Sequence, residues 1–525
     1  MSIKEGAMAQ QAGGAPVSLS PPDANIEDPS VALQSKIRHI ARIPVEPGRM
    51  LIDGESRDAS DGRTRPVTSP IHGDVFSLIP EGTPSDIDEA VHAARRAFES
   101  RKWLGLAPKE RKRTLLRWAD LMEAHKLELA VLETRDMGMP VQLALHVDLA
   151  GAVEAIRWYG EAIDKIYDEV APTPDSESVT ITRIPLGVVG AIVPWNFPAM
   201  IAAWKLGPAI AAGNSVVLKP SEEASLVIIR MAELSREAGL PAGVLNVVTG
   251  EGAGAGAALA AHNDVDCITF TGSGETGRKL LEASARSNLK RVSLECGGKT
   301  ANIIMADAPD LTQAAQAAAR AMFANQGQIC NAPARLLVER PILEQVVEIV
   351  VNRARALRIG DPLDLATDLG PIVNQNQRQK ILSAIDQACA EGTRFVLDGR
   401  GTAVPSSGFY VGPSVAVDVR PSSALAQEEV FGPVLAVIAF DTLDQAIAIA
   451  NGTRYGLGAA FWSSDVKSVR RAAQRLLAGT VVINGIGGTA IELPFGGFKQ
   501  SGFGRDRSLH AIDKYTDFKT VINRS

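Results

Sequence analysis

Three local patterns put reactive or ligand-binding groups where the backbone turns. Phe270-Thr271-Gly272-Ser273-Gly274-Glu275-Thr276-Gly277 contains G-x-G-x-x-G, directly after an apolar strand pattern and before a helical one. In that setting glycines let main-chain N–H groups approach a phosphate at a helix N-terminus, as in a dinucleotide fingerprint. A tight strand–helix turn would use the same residues. Asn325-Gln326-Gly327-Gln328-Ile329-Cys330 ends a helical pattern and opens a loop. A thiol there, among amides and beside a glycine, is either a small buried hydrophobe or an approachable nucleophile; Cys267, inside an apolar strand, reads as the former. Glu295, in Leu294-Glu295-Cys296-Gly297-Gly298-Lys299, lies between a strand and a Gly-Gly turn. It suits a solvated turn, a general base, or the ribose-binding acid found about 20 positions after the fingerprint.

These groups need a framework. A chain of 525 residues, 46% hydrophobic and 22% charged, is large enough for two or three globular domains. From 185 onward short apolar strands (188–193, 215–219, 244–249, 266–271) alternate with helices (198–212, 223–238), the pattern of a parallel, doubly wound α/β sheet. A second alternating stretch, 299–484, has the size of another α/β domain. Upstream, 50–80 reads as one or two hairpins, followed by helices over 84–101, 108–136 and 144–168. Residues 1–30, rich in Ala, Gly, Ser, Gln and Pro without periodicity, read as a disordered tail, with folded signal from near Ile37. The segment 514–522 reads as one exposed strand, a liability unless it pairs, and so a candidate subunit contact. Lys plus Arg total 54 against 60 Asp plus Glu, a net charge of −6 that offers no basic field to nucleic acid or an anionic membrane. No signal peptide is evident, and no apolar run reaches the roughly 18 residues a membrane span needs. Four cysteines are too few for a disulfide framework and suit a reducing compartment, so the cytoplasm is expected.

Further motifs accompany the first three: Pro194-Trp195-Asn196-Phe197-Pro198, Lys219-Pro220-Ser221-Glu222, Glu429-Val430-Phe431-Gly432-Pro433 and Pro494-Phe495-Gly496-Gly497. In this order, over residues 50–523, the set resembles the aldehyde dehydrogenase superfamily. The resemblance implies two Rossmann-like doubly wound α/β domains plus a small β oligomerisation element. Residues 31–162 and 186–297 would bind NAD, 298–500 would be catalytic, and 163–185 with 501–525 would assemble subunits. It also implies that the Cys330 thiolate attacks an aldehyde carbonyl to give a thiohemiacetal. The Asn196 side-chain amide and the Cys330 backbone N–H would form the oxyanion hole. Hydride would pass to the nicotinamide, and Glu295 would activate the water that hydrolyses the resulting thioester. Lys205 and Asp506 match a proton exit, where the family more often has the longer Glu at the second position. Cofactor contacts fall on Trp195, Lys219, Glu222, Gly252, Thr271, Gly272, Ser273, Gly277, Glu429 and Phe431. The pyrophosphate would meet Gly272 and Ser273, the nicotinamide ribose Glu429, and the adenosine ribose Lys219 and Glu222, which removes Glu295 from that role. A carboxylate at Glu222 repels a 2′-phosphate, so NAD is favoured, with NADP possible beside the Lys219 cation. No metal is implied, and a homodimer or homotetramer is expected.

Two segments, Ile156-Arg157-Trp158-Tyr159-Gly160-Glu161-Ala162-Ile163-Asp164-Lys165 and Gly504-Arg505-Asp506-Arg507-Ser508-Leu509-His510-Ala511, resemble the gamma-glutamyl-gamma-aminobutyraldehyde dehydrogenases and their omega-amino-aldehyde relatives. The loop 484–493 departs from that group in being more apolar and glycine-rich. Family positions around the substrate tunnel fall on Val147, Asp148, Gly151, Phe197, Ile201, Trp204, Ile329 and Phe495. With Asp148 at the mouth and Glu492 in the closing loop, the two carboxylates either favour an omega-amino or guanidino aldehyde or are ordinary solvated surface acids; the apolar remainder would equally admit aliphatic or aromatic aldehydes. Three rivals stand beside this reading. A CoA-acylating semialdehyde dehydrogenase typically lacks the base Glu, and a catalytically silent protein on the same fold usually loses the nucleophile or the base. A cysteine hydrolase wants a His near Cys330, and none of the seven His lies in these motifs.

Overall fold

The computed structural model describes residues 29–488 and 490–524. The expected tail therefore falls outside the described residues up to 28. Pro29 already opens a helix, Pro29–Ala41, eight residues before the expected start. That helix docks Ile37 against Val131 and Val141, and the Gln34 side chain donates to the Leu363 carbonyl at 2.9 Å.

Five parallel strands form the centre of the first sheet, in the order Arg291–Cys296, Cys267–Gly272, Val188–Ile192, Ser215–Lys219, Leu245–Val247. Val188–Ile192 and Ser215–Lys219 are buried at every position, as strands covered on both faces must be, which explains their unbroken apolar runs. The chain leaves Val188–Ile192 toward one side of the sheet and later returns to the other. Connections diverge at that strand, and a crevice opens past the strands' carboxyl ends at such a point. Antiparallel strands close both edges: the hairpin Met50–Ile52 and Glu55–Arg57 on one side, Gly502–Phe503 on the other. The last pairing sets Gly502 opposite Glu295, carrying the C-terminal segment back to the first sheet.

The second sheet has seven strands, in the order Arg394–Leu397, Ser414–Val417, Val434–Phe440, Arg335–Glu339, Ala301–Ile304, Gly458–Trp462, Thr480–Ile483, all parallel except the first. Its cores lie on both faces, against the helices Leu311–Phe323 and Leu343–Arg355 on one and Gln375–Ala390 and Leu443–Asn451 on the other. The architecture is the two-sheet, doubly wound α/β fold expected above.

Several elements differ from expectation. The helix expected over 108–136 is two, Pro108–Ala124 and Lys126–Met137, meeting at His125 (φ −98°, ψ 9°) with no Gly or Pro to mark the break. The helix expected over 144–168 opens with a π turn, Ala144–Asp148, and ends at Ala162 and a short 3-10 turn, giving way to the strand Glu169–Ala171. The helix expected over 84–101 runs Pro84–Glu99, capped by Thr83 in a capping box with Asp86, and Pro84 takes the first helical position. The terminal strand runs Thr516–Arg524 and is not unpartnered: it pairs antiparallel with Glu177–Pro185 along its whole length in a three-stranded sheet completed by Glu169–Ala171. It forms an edge of that sheet within the chain.

Candidate active site

Cys330 is presented by a strained loop. Asn325, Gln326 and Gly327 adopt φ of 46°, 57° and 71° in succession, a left-handed run that only the glycine accepts without cost. A Cβ on Gly327 would stand 2.3 Å from the Gly432 carbonyl oxygen. The amides around the thiol, which made the loop look approachable, are buried braces. Gln326 donates to the carbonyls of Pro371 (2.8 Å) and Gly138 (3.2 Å), and Gln328 accepts from the Val373 N–H at 3.0 Å. Asn325 donates to the backbone carbonyl of Asn196 at 2.8 Å, tying this loop to the turn after the first sheet's central strand. Asn196 is buried, and one of its two side-chain N–H groups donates to the Gln328 carbonyl at 3.0 Å, leaving the other unspent.

The helix that follows, Pro198–Ala211, is buried throughout. Its first turn is held by Asp148, whose carboxylate accepts from the N–H groups of Ala199 (3.1 Å) and Met200 (3.0 Å). This corrects one expectation. Asp148 is fully buried at a helix N-terminus, with its carboxyl pushed up to about 6 by burial, and Glu133 faces it. It is not at a tunnel mouth. Gly151 packs against the Met200 side chain, and Glu492 is exposed; neither lines the pocket.

Two cavities meet at Cys330, which is half-buried. The first, about 550 Å³, collects Trp195, Asn196, Thr271, Gly272, Ser273, Glu295, Glu429 and Phe431 around the thiol. The second, about 260 Å³, is largely apolar: Val147, Phe197, Ile201, Trp204, Ile329 and Phe495 surround Cys330, as expected, together with Leu143, Met200 and Arg507. Burial pushes the thiol up to about 12, with the carboxylates of Glu429 and Glu295 adding to the effect.

Glu295 ends the strand Arg291–Cys296, opposite Thr271 in register. It is 3% exposed, and neither carboxyl oxygen has a hydrogen-bond partner among the described residues. Burial, then the nearby Asp506 charge, holds its pKa well above the usual carboxylate range. Behind it lies a buried charge cluster. Lys205 pairs with Asp506 at 2.9 Å, and Lys514 pairs with the other Asp506 oxygen. The shorter Asp506 therefore does reach Lys205. Burial alone would raise Asp506, but the two lysines outweigh it and hold the carboxyl low.

Glu429 accepts from the Gly298 N–H at 3.0 Å, and burial lifts its carboxyl to about 7. Phe431 stands edge-on to Trp195, centroids 5.3 Å apart. Ser273 caps the helix Gly274–Arg286, so that helix's N–H end opens on the larger cavity, where the buried Thr271 hydroxyl has no partner. That unspent hydroxyl and helix end fit a phosphate-bearing dinucleotide. Lys219 and Glu222 form an ion pair at 3.2 Å, away from the thiol. Lys219 is almost fully buried, Glu222 borders a separate cavity of about 290 Å³ with Arg65, and the Gly252–Gly256 π turn approaches the Lys219 stem. Gly277 packs on Leu294 and Cys296, a close helix–strand contact and not a cavity wall. Sequence reasoning did not weigh Gln377 and Lys380, which line the large cavity from the helix Gln375–Ala390, nor Arg507.

A half-buried thiol between a phosphate-ready cleft and an apolar pocket is an arrangement that suits an enzyme reacting a small carbonyl compound beside a nucleotide. The family model for the aldehyde dehydrogenase family matches residues 57–521, and the chain belongs to that family. It is 48% identical over 473 residues to the NADP/NAD-dependent aldehyde dehydrogenase PuuC of Escherichia coli, covering 90% of this chain and 95% of that one. Among solved structures, a gamma-glutamyl-gamma-aminobutyraldehyde dehydrogenase from Burkholderia cenocepacia superposes with a TM-score of 0.91 at 49% identity, covering 94% of this chain and 99% of that one. A P. syringae indole-3-acetaldehyde dehydrogenase in complex with NAD+ and IAA gives 0.92 at 47% identity, with the same coverage. The likeness to the gamma-glutamyl-aminobutyraldehyde group is thus borne out. No described helix is long and apolar enough to cross a membrane.

Proposed function

We propose that this chain oxidises an aldehyde to a carboxylic acid through a thioester on Cys330, using NAD in preference to NADP, with an amino-alkyl or gamma-glutamyl-amino aldehyde as substrate. One observation carries the reading: Cys330 stands where the cleft and the apolar pocket join, with the unpaired Glu295 carboxyl lining the same cleft.

Burial holds the thiol neutral at rest, so Cys330 adds to the carbonyl carbon as its proton passes to solvent in the cleft. The oxygen of the resulting thiohemiacetal is held by the free N–H of the Asn196 amide and the Cys330 N–H, donors fixed by the Asn196–Gln328 and Asn325–Asn196 bonds. NAD, when bound, supplies the hydride acceptor; Gly272, Ser273, Thr271, Glu429, Phe431 and Trp195 would hold it along the cleft, with Lys219, Glu222 and Gly252 at the adenosine end. Water then adds to the thioester while Glu295, in its ionised form, takes a proton from it, and the acid leaves as that proton passes to the Cys330 sulfur. The electrostatic neighbours of Glu295 are Asp506, Lys514 and Lys205, which supports that cluster as the proton's way out.

On this reading residues 31–162 and 186–297 bind the dinucleotide and 298–500 supply the nucleophile. Segments 163–185 and 501–525 join subunits into a homodimer or homotetramer, in the cytoplasm. The open edge of Thr516–Arg524 supports the assembly. The test is NADH formation over a panel of aldehydes. Cys330→Ala should abolish it while NAD still binds by calorimetry, and a Cys330→Ala protein that still makes NADH would end the reading.

A further inference from the structure

Arg507 is a cation with no ion-pair partner among the described residues. It lines the apolar pocket together with Cys330 and is 2% exposed. Its guanidinium carbon lies 5.1 Å from the Trp204 ring centroid and 5.0 Å from that of Phe495. Of its five N–H groups, the hydrogen bonds among the described residues account for one, from Nη1 to the Gly488 carbonyl at 3.1 Å, and the buried Nε has no partner. The adjacent acid, Asp506, is already spent on Lys205 and Lys514. Glu295, the other acid nearby, lines the neighbouring cleft and not this pocket. The acid expected at this tunnel, Asp148, is turned to the helix Pro198–Ala211 instead. A guanidinium keeps its charge when buried, and buried charges are normally paired or fully hydrogen-bonded. The aromatic faces of Trp204 and Phe495 offset part of that cost and leave the N–H donors free.

We infer that Arg507 selects aldehydes whose tail presents a hydrogen-bond acceptor, an amide carbonyl or a carboxylate, and disfavours tails that end in a bare ammonium. This rests on the oxidation proposed above and narrows its substrate. An acceptor on the tail satisfies donors already desolvated, whereas an ammonium brings a second cation into a pocket with no acid to receive it. Of the two substrate types considered, the gamma-glutamyl-amino aldehyde fits and the free amine does not.

The experiment compares kcat/KM of the full-length protein for N-acetyl-4-aminobutyraldehyde, 6-oxohexanoate, 4-aminobutyraldehyde and hexanal. The amide or the carboxylate should exceed the ammonium compound by about ten-fold or more, the usual worth of a hydrogen bond to a buried charge. Arg507→Leu, which keeps apolar bulk, should collapse that ratio; Arg507→Lys should restore it for the carboxylate. Each ratio is taken within one preparation, so a partly misfolded variant does not distort it. A merely structural Arg507 would lower all four rates together and leave the ratios standing, which would overturn the inference. So would wild-type preference for 4-aminobutyraldehyde. Absence of NADH from every compound, hexanal included, would instead defeat the oxidation proposal itself.

Discussion

Replacing Glu295 by Gln keeps the shape of the side chain and removes its proton. The wild-type carboxyl is 3% exposed, without hydrogen-bond partners among the described residues, and its pKa is raised first by burial and then by the Asp506 charge. The raised value means that the folded state binds its proton more tightly than the unfolded chain. Wild-type stability from this group is therefore fully present below the ordinary carboxylate pKa and is lost as pH rises through the folded value. Each unit of elevation is worth about 1.4 kcal/mol. The Gln variant lacks that loss, so its melting temperature should match wild type in acid and exceed it in alkali. Catalysis should divide the other way. Loss of a general base costs about 10²–10⁴-fold in the step it serves, and that step follows hydride transfer. In stopped-flow mixing at saturating NAD, Glu295→Gln should give a burst of NADH near one per active site, then a steady rate lower by that factor. The wild-type steady rate should rise with pH as Glu295 ionises, and the variant should lack that limb. If burst and turnover vanish together in a protein of normal stability, Glu295 acts before the thioester and the assignment is refuted.

Asp148→Ala removes the acceptor for the Ala199 and Met200 N–H groups and should cost about 2–3 kcal/mol in denaturant unfolding. An unchanged midpoint would mean that the helix start holds itself. Glu222→Gln should raise kcat/KM for NADP relative to NAD by up to about five-fold, since a charge this exposed contributes at most about 1 kcal/mol; a ratio that stays put would remove Glu222 from the adenosine end. Truncation after Tyr515 deletes Thr516–Arg524 while sparing the buried Lys514, and light scattering should then show smaller or aggregated particles. A particle mass unchanged per subunit would remove that strand from assembly.

What the sequence makes legible is what neighbouring residues decide. The Gly-rich turn at Gly272 is strand, turn and helix within a dozen residues, and its reading needed only local patterns. The wall of the inner pocket was readable by resemblance at Phe197, Ile201, Trp204 and Phe495 because apolar residues there have one plausible side to face. Asp148 was misread for the opposite reason: its partners are main-chain N–H groups some fifty residues on, and nothing beside it in the chain tells a capping carboxylate from a surface one. Arg507 became visible only once Trp204 and Phe495, from separate elements, closed on it. The break at His125 was hidden because the apolar pattern continues across it. The amides around Cys330 were misread as opening the loop to solvent, since they brace it from within.

Among the described residues, those lining the two cavities have a single member in common, Cys330. Substitutions in one wall therefore leave the other wall's contacts in place. A lineage carrying this scaffold is free to exchange Phe197, Ile201, Trp204 or Arg507 for a new aldehyde while Thr271, Ser273, Glu295 and Glu429 keep their places around the cleft. Taste and chemistry are inherited separately, hinged on one sulfur atom.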